Sequence, residues 1–210
     1  MITMDEIQIL IVEDEPLIAA NIAHYLNNHN FKVCGIAYDA EEAKLFLEKG
    51  TPDAMILDIN LQSTRTGLDI AAYVNKHFPI PFVLLTSYAD KETIEKAKKV
   101  SPWGYIVKPF NESTLLASLE MAISNFAQTN NKSLPEPRFE KINRHLISQV
   151  SEREFEVLKL IYDGKTNHQI AEELFVSVNT VKKHINSVYL KLDVVTRTNA
   201  IARLRELMMK

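Results

Sequence analysis

The feature that most narrows what this chain can fold into is an alternation. Over the first 126 residues, short apolar runs rich in β-branched side chains lie at 7–12 (IQILIV), 32–37 (KVCGIA), 53–57 (DAMIL), 81–86 (PFVLLT) and 103–107 (WGYIV). They take turns with amphipathic segments at about 15–28, 40–49, 66–77, 90–99 and 111–126. A run that is apolar at nearly every position suits a strand buried on both faces, as in a parallel sheet. In the first amphipathic segment Leu17, Ala20, Ile22, Ala23 and Leu26 form a helical stripe. Five strands, each followed by a helix, predict a doubly wound α/β domain over residues 1–126. Right-handed crossovers leave the flavodoxin-like strand order 2-1-3-4-5 as one of two common solutions, and such sheets bind ligands beyond the carboxyl ends of their strands.

The rest of the chain reads differently. Polar, proline-containing residues from 127 onward predict a linker, leading through a first helix to about residue 148. Strand signals then vanish, and helical patterns recur at 138–147, 151–163, 167–174, 177–192 and 196–209, so that 149–210 reads as a small all-α domain. The net charge of -3 conceals an asymmetry: residues 1–126 hold 10 Lys+Arg against 17 Asp+Glu, and residues 127–210 hold 14 against 10. An acidic half followed by a basic one suggests two tasks, the second on a polyanion. The single cysteine, Cys34, excludes an internal disulfide and fits a reducing compartment; its apolar surroundings suggest a buried thiol. With neither a secretory leader nor a bilayer-length apolar run, the expectation is a cytoplasmic protein with no membrane partner.

The strand ends carry the chemistry. The first ends in Glu13-Asp14, the third in Asp58, the fourth in Thr86 and the fifth in Lys108. In the predicted order these groups share one edge of the sheet. Three carboxylates gathered there repel unless a cation joins them, and Mg2+ suits one or two carboxylates plus phosphate oxygens. Asp58, central among the strands, is the candidate nucleophile for a phosphoryl group. Glu13, Asp14 and the backbone carbonyl of Asn60 would complete the metal site. Lys108 would offer a point charge and Thr86 a hydroxyl to phosphoryl oxygens. Any one acid here serves equally as a helix cap, and Lys-Pro as a turn; the joint arrangement is what points to chemistry.

In the basic half, Ser151 and Glu154 form a capping box, Gly164 stops that helix, and Ser177 caps a longer one. On the longer helix Val181, Ile185, Val188, Tyr189 and Leu192 make a buried face, leaving Asn179, Lys182, Lys183 and Asn186 elsewhere. Two helices joined by a tight turn, with amides and lysines early on the second, suit major-groove reading of DNA. A solvated face or a protein contact would use the same residues.

The segments LIVEDE, MILDINL, LLTSYAD and GYIVKPF resemble the receiver domain of two-component response regulators. The stretch 150–208, with TVKKHI and TRTNAI, is similar to the LuxR-type helix-turn-helix of the NarL/FixJ group. The first resemblance implies Asp58 as phosphoacceptor, Glu13 and Asp14 as Mg2+ ligands, Thr86 as switch hydroxyl, Lys108 as phosphate-binding lysine and Tyr105 as switch aromatic. The second implies 177–192 as recognition helix, with Lys182, Lys183 and Asn186 at bases or phosphates. It places Thr166, Asn167 and Lys191 at the DNA backbone, and Ile201, Leu204 and Met208 on a dimer face. Gln62 replaces the family's usual proline, and the loop from Gln62 to Gly67 is one residue longer. The implied protein takes a phosphoryl group from a sensor histidine kinase and controls dimerisation and binding to double-stranded DNA. It would catalyse only its own phosphotransfer and dephosphorylation. Two other classes are compatible with parts of the pattern: a phosphorylation-independent DNA-binding regulator whose receiver only dimerises, and a phosphatase working through an aspartyl phosphate.

Overall fold

The computed structural model describes residues 6–29, 31–50, 52–61, 66–87 and 91–209, with residues 91–94 described by backbone alone. The contacts divide the chain into two compact units: residues 7–123, and residues 124–210 with 1–6.

In the first unit the strands β1 (Ile7–Val12), β2 (Phe31–Ala37), β3 (Ala54–Asp58), β4 (Phe82–Thr86) and β5 (Gly104–Val107) alternate with helices. Those helices are α1 (Pro16–Asn27), α2 (Ala40–Lys49), α3 (Gly67–His77), α4 (Lys91–Lys99) and α5 (Glu112–Asn131). The sheet is parallel throughout, in the order β2-β1-β3-β4-β5 expected from the alternation. Every residue of β3 and β4 is buried, because successive side chains enter opposite layers. Ile7, Ile9 and Ile11 join Val83, Leu85 and the inner faces of α1 and α5. Leu10 and Val12 join Met55, Leu57, Phe82 and Leu84 under α2 and α3.

Two local departures have physical causes. Between β1 and β2 the register passes from Ile9↔Val33 to Leu10↔Gly35, so Cys34 is the unpaired extra residue of a β-bulge on the edge strand. The bulge turns Cys34 outward, and the cysteine expected to be buried is exposed. The other departure concerns α5, which continues to Asn131, past residue 127 where polar composition suggests a linker. Asn130 Nδ2 donates to the Phe126 carbonyl (2.8 Å), and Asn131 Nδ2 donates to the Tyr162 carbonyl (2.6 Å). Polar residues on an exposed helix end look like loop until such partners are known.

The second unit holds α6 (Phe139–Arg144), α7 (Glu152–Tyr162), α8 (Asn167–Glu173), α9 (Val178–Leu192) and α10 (Arg197–Met209) around one apolar core. Helix α6 stops at Arg144, short of the expected 147. The buried Asn143 instead closes the turn through two bonds with Val150: Nδ2 to the carbonyl at 3.0 Å, and Oδ1 from the amide at 2.8 Å. Gly164, at φ 82, ends α7 as expected of a residue free to enter the left-handed region. Ser151, Thr166 and Ser177 each accept a bond from an amide three residues on, capping α7, α8 and α9. Leu204 and Met208, expected on a dimer face, are buried in this unit's own core, and Ile201 packs against it. No helix among the described residues is long and apolar enough to cross a membrane.

Candidate functional site

The parallel register brings the strand ends to one edge, and four side chains converge there. Glu13, directly after β1, is wholly buried, Asp58 at the end of β3 is 2% exposed, and Asp14 is half-buried. Their carboxylate oxygens lie within 4.8 Å of one another. Lys108 follows β5, where its amide donates to the Thr86 carbonyl (2.8 Å) and prolongs the β4–β5 ladder. Its Nζ lies 2.7 Å from Glu13 Oε2 and 2.8 Å from Asp58 Oδ2. The Asn60 amide donates to Asp58 Oδ1 (3.2 Å), and the Glu15 amide to Glu13 Oε1 (3.4 Å). Thr86 is buried at the end of β4. Tyr105 is 44% exposed on β5 and pairs in register with Leu84, two residues before Thr86, so Tyr105 and Thr86 lie on the same face of the sheet.

The electrostatics are those of an over-acidic pocket. Burial pushes the Glu13 carboxyl up to about 7; the Asp58 charge adds to this, while the Lys108 ammonium opposes it. Burial alone would lower Lys108, but its hydrogen bond to Asp58 and its ion pair with Glu13 outweigh that and hold it above the ordinary lysine range. One ammonium faces three carboxylates. Glu13 Oε2 is buried and, though close to Lys108, is not aligned for a hydrogen bond. An all-oxygen cluster with surplus negative charge fits a hard divalent cation.

Gly67, the first residue of α3, lies hard against the backbone of Asp58. A Cβ there would fall 1.9 Å from the Asp58 carbonyl oxygen, so only glycine allows the approach. Its amide donates to the Ile59 carbonyl (3.1 Å). The start of α3 is set by the Thr66 amide and hydroxyl, which both donate to Asp69 Oδ2 (2.9 and 3.0 Å). The substituted proline position, Gln62, and the lengthened part of the loop, 62–65, lie outside the described residues.

In the second unit, Asn179, Lys183 and Asn186 are exposed on α9. Lys182 is half-buried and paired with Glu6 (2.8 Å). Three other residues expected at the DNA backbone are held within the fold. Thr166 is the α8 cap and is 4% exposed, Asn167 is 1% exposed, and Lys191 is paired with Glu154 (2.6 Å). Glu154 is a centre that capping chemistry only half reveals. Its Oε2 accepts from the Ser151 amide (2.6 Å) as well as from Lys191, and its Oε1 accepts from Ser187 (2.5 Å), tying the start of α7 to α9. Burial raises the Glu154 carboxyl, but the bonds from Lys191, Ser187 and Ser151 prevail and bring it down to about 2. Buried Arg197 is a further centre, and one with no local sequence signal. It donates to the Ile161 and Lys165 carbonyls (3.1 and 2.5 Å), satisfying the end of α7.

Known proteins resemble both parts of this chain. The response regulator receiver domain model matches residues 9–120, and the model for bacterial regulatory proteins of the luxR family matches residues 148–204. The transcriptional regulatory protein DesR of Bacillus subtilis is 30% identical over 201 residues, covering 95% of this chain and 97% of DesR. The transcriptional regulatory protein PdtaR of Mycobacterium tuberculosis is 33% identical over 121 residues; the match covers 58% of each chain. Among solved structures, the signal receiver domain of a modulated diguanylate cyclase from Desulfovibrio desulfuricans G20 aligns with a TM-score of 0.56 and 35% identity, covering 60% of this chain and 99% of that one. The chain belongs to the response regulators that join a receiver domain to a LuxR-family DNA-binding domain, and it is a phosphorylation-regulated transcription factor.

Proposed function

We propose that Asp58 is the phosphoacceptor, that Glu13, Asp14, Asp58 and the Asn60 carbonyl hold Mg2+, and that the donor is a sensor histidine kinase. The observation that carries this reading is the convergence of Asp58 with Glu13, Asp14 and Lys108 at one sheet edge. A carboxylate oxygen of Asp58 attacks the phosphorus of a phosphohistidine; the O–P bond forms, the P–N bond breaks, and the imidazole leaves with the electron pair. The Asn60 amide orients the Asp58 carboxylate. Lys108 pairs with the incoming phosphoryl oxygens in place of part of its present carboxylate pairing. Bound Mg2+ supplies charge neutralisation for those oxygens.

Phosphorylation is read out through Thr86 and Tyr105, whose shared face couples the pocket to the exposed side of β5. Residues of α9, the exposed Asn179, Lys183 and Asn186 foremost and the half-buried Lys182 beside them, meet double-stranded DNA, and two copies bind together in the cytoplasm. Thr166, Asn167 and Lys191 support this surface by fixing α8 and α9 rather than by reaching out. The test is labelling of the full chain by acetyl phosphate with and without Mg2+. We expect Mg2+-dependent incorporation that vanishes in Asp58→Ala, together with tighter DNA binding of the labelled protein. Incorporation that persists in Asp58→Ala overturns the site, and equal DNA affinity with and without label favours a receiver that serves only dimerisation.

A further inference from the structure

Helix α9 carries a residue on its outer face that neither the DNA-reading amides nor the core accounts for. Leu190 is 78% exposed, while the apolar residues that hold α9 to its unit, Val181, Ile185, Val188, Tyr189 and Leu192, are all buried. At ~100° per residue, the side chains of Asn179, Lys183, Asn186 and Leu190 project within an arc of about 60°, opposite that buried face. All four are exposed. They form a single stripe about 16 Å long, at ~1.5 Å per residue, matching about five base-pair steps.

We propose that this stripe reads the operator as one surface and selects an A·T-rich half-site, with Leu190 seated on a thymine methyl group. The proposal rests on the reading of α9 as the DNA-facing helix and adds the chemistry of its target. Carboxamides such as Asn179 and Asn186 match the N6 donor and N7 acceptor of adenine in the major groove. Lys183 supplies one cation for guanine or phosphate. The only apolar feature in that groove is the C5-methyl of thymine, and Leu190 is the apolar member of the stripe. A lone exposed leucine needs no explanation on an arbitrary surface. Here it continues a line of base-reading side chains, and the flanking lysines are engaged elsewhere: Lys191 with Glu154 and Lys182 with Glu6.

The experiment uses the full chain, treated with acetyl phosphate and Mg2+, to select sites from a random duplex pool. Thymines in the selected sites are then replaced one at a time by deoxyuridine, which removes only the methyl. We expect A·T enrichment in each half-site and one thymine per half-site at which deoxyuridine weakens binding about fourfold, the scale of one buried methyl. Leu190→Ala should bind the thymine-containing site more weakly and lose that deoxyuridine sensitivity, while Asn186→Ala should keep it. Because Leu190 is exposed, the thermal transition of L190A should match that of the parent. Selected sites without A·T enrichment, sensitivity to deoxyuridine at no position, or equal sensitivity in L190A overturns the proposal. A change in self-association of L190A with unaltered deoxyuridine sensitivity assigns Leu190 to a protein contact and overturns it as well. If the pool yields no enriched site at all, the DNA-reading role of α9 itself fails.

Discussion

Replacing Glu154 by glutamine should remove most of the acid sensitivity of the helical unit along with much of its stability. The side chain is 9% exposed and is bonded to Lys191, Ser187 and the Ser151 amide. Its carboxyl lies at about 2 in the folded protein against an ordinary 4.5. A carboxyl whose folded value is depressed gives stability that is complete above its unfolded value and drains away as the pH falls through the folded one. The contribution is therefore in place above about pH 5 and lost toward pH 2. At about 1.36 kcal/mol per unit, the depression corresponds to ~3 kcal/mol, or roughly 15 °C in the melting temperature of a unit this size.

The assay is thermal unfolding of the full chain from pH 7 down to pH 2, followed by two signals. Trp103, the single tryptophan, lies in the first unit, so its fluorescence reports that unit alone. Far-ultraviolet circular dichroism reports both. Glu154→Gln should lower the dichroism transition of the helical unit at pH 7, flatten its dependence between pH 5 and pH 2, and leave the tryptophan transition in place. A variant with parental stability at pH 7, or with an undiminished slope below pH 5, refutes the electrostatic account of this network.

Other outcomes follow from single contacts. Gly67→Ala should destabilise the first unit by at least about 2 kcal/mol, as overpacking against backbone does, because its Cβ would meet the Asp58 carbonyl oxygen. Tryptophan-monitored urea unfolding will measure this, and a parental midpoint would show that the loop yields freely. Cys34, despite its exposure, has its thiol pushed up to about 11 by burial and then by the Asp53 charge. Its alkylation by iodoacetamide at pH 8 should be about tenfold slower than that of a free thiol, the scarcer thiolate being partly offset by its higher nucleophilicity, and a rate like that of free cysteine contradicts this.

Much of the fold was legible because it rests on regularities of period. Runs buried on both faces announce a parallel sheet, and strand order then follows from handedness. The acidic edge was legible for the same reason: once β1 and β3 are neighbours, Glu13, Asp14 and Asp58 have nowhere else to meet. What escaped depends on pairings between distant residues. Ser151 and Glu154 are readable as a cap, yet nothing local says that the same carboxylate also takes Lys191 and Ser187. Thr166 and Asn167 look like polar surface until α8 is packed. Leu204 and Met208 satisfy a dimer stripe and a core stripe equally well, and only the assembled core decides. The bulge at Cys34 arises from a mismatch between two strands and leaves no mark on either alone.

The order of the strands has a consequence for how the chain comes into being. The centre of the sheet includes β1, the earliest of the sheet's own five strands, and its inner partner β3 lies more than forty residues later, at Ile9↔Ala54 and onward. Parallel pairings over such separations close slowly, whereas helices begun by their own serine and threonine caps form from local contacts. A ribosome adding about 5–20 residues per second takes several seconds to complete residues 124–210. The slower unit is thus the one synthesised first, and the making of the faster one gives the sheet its time to close.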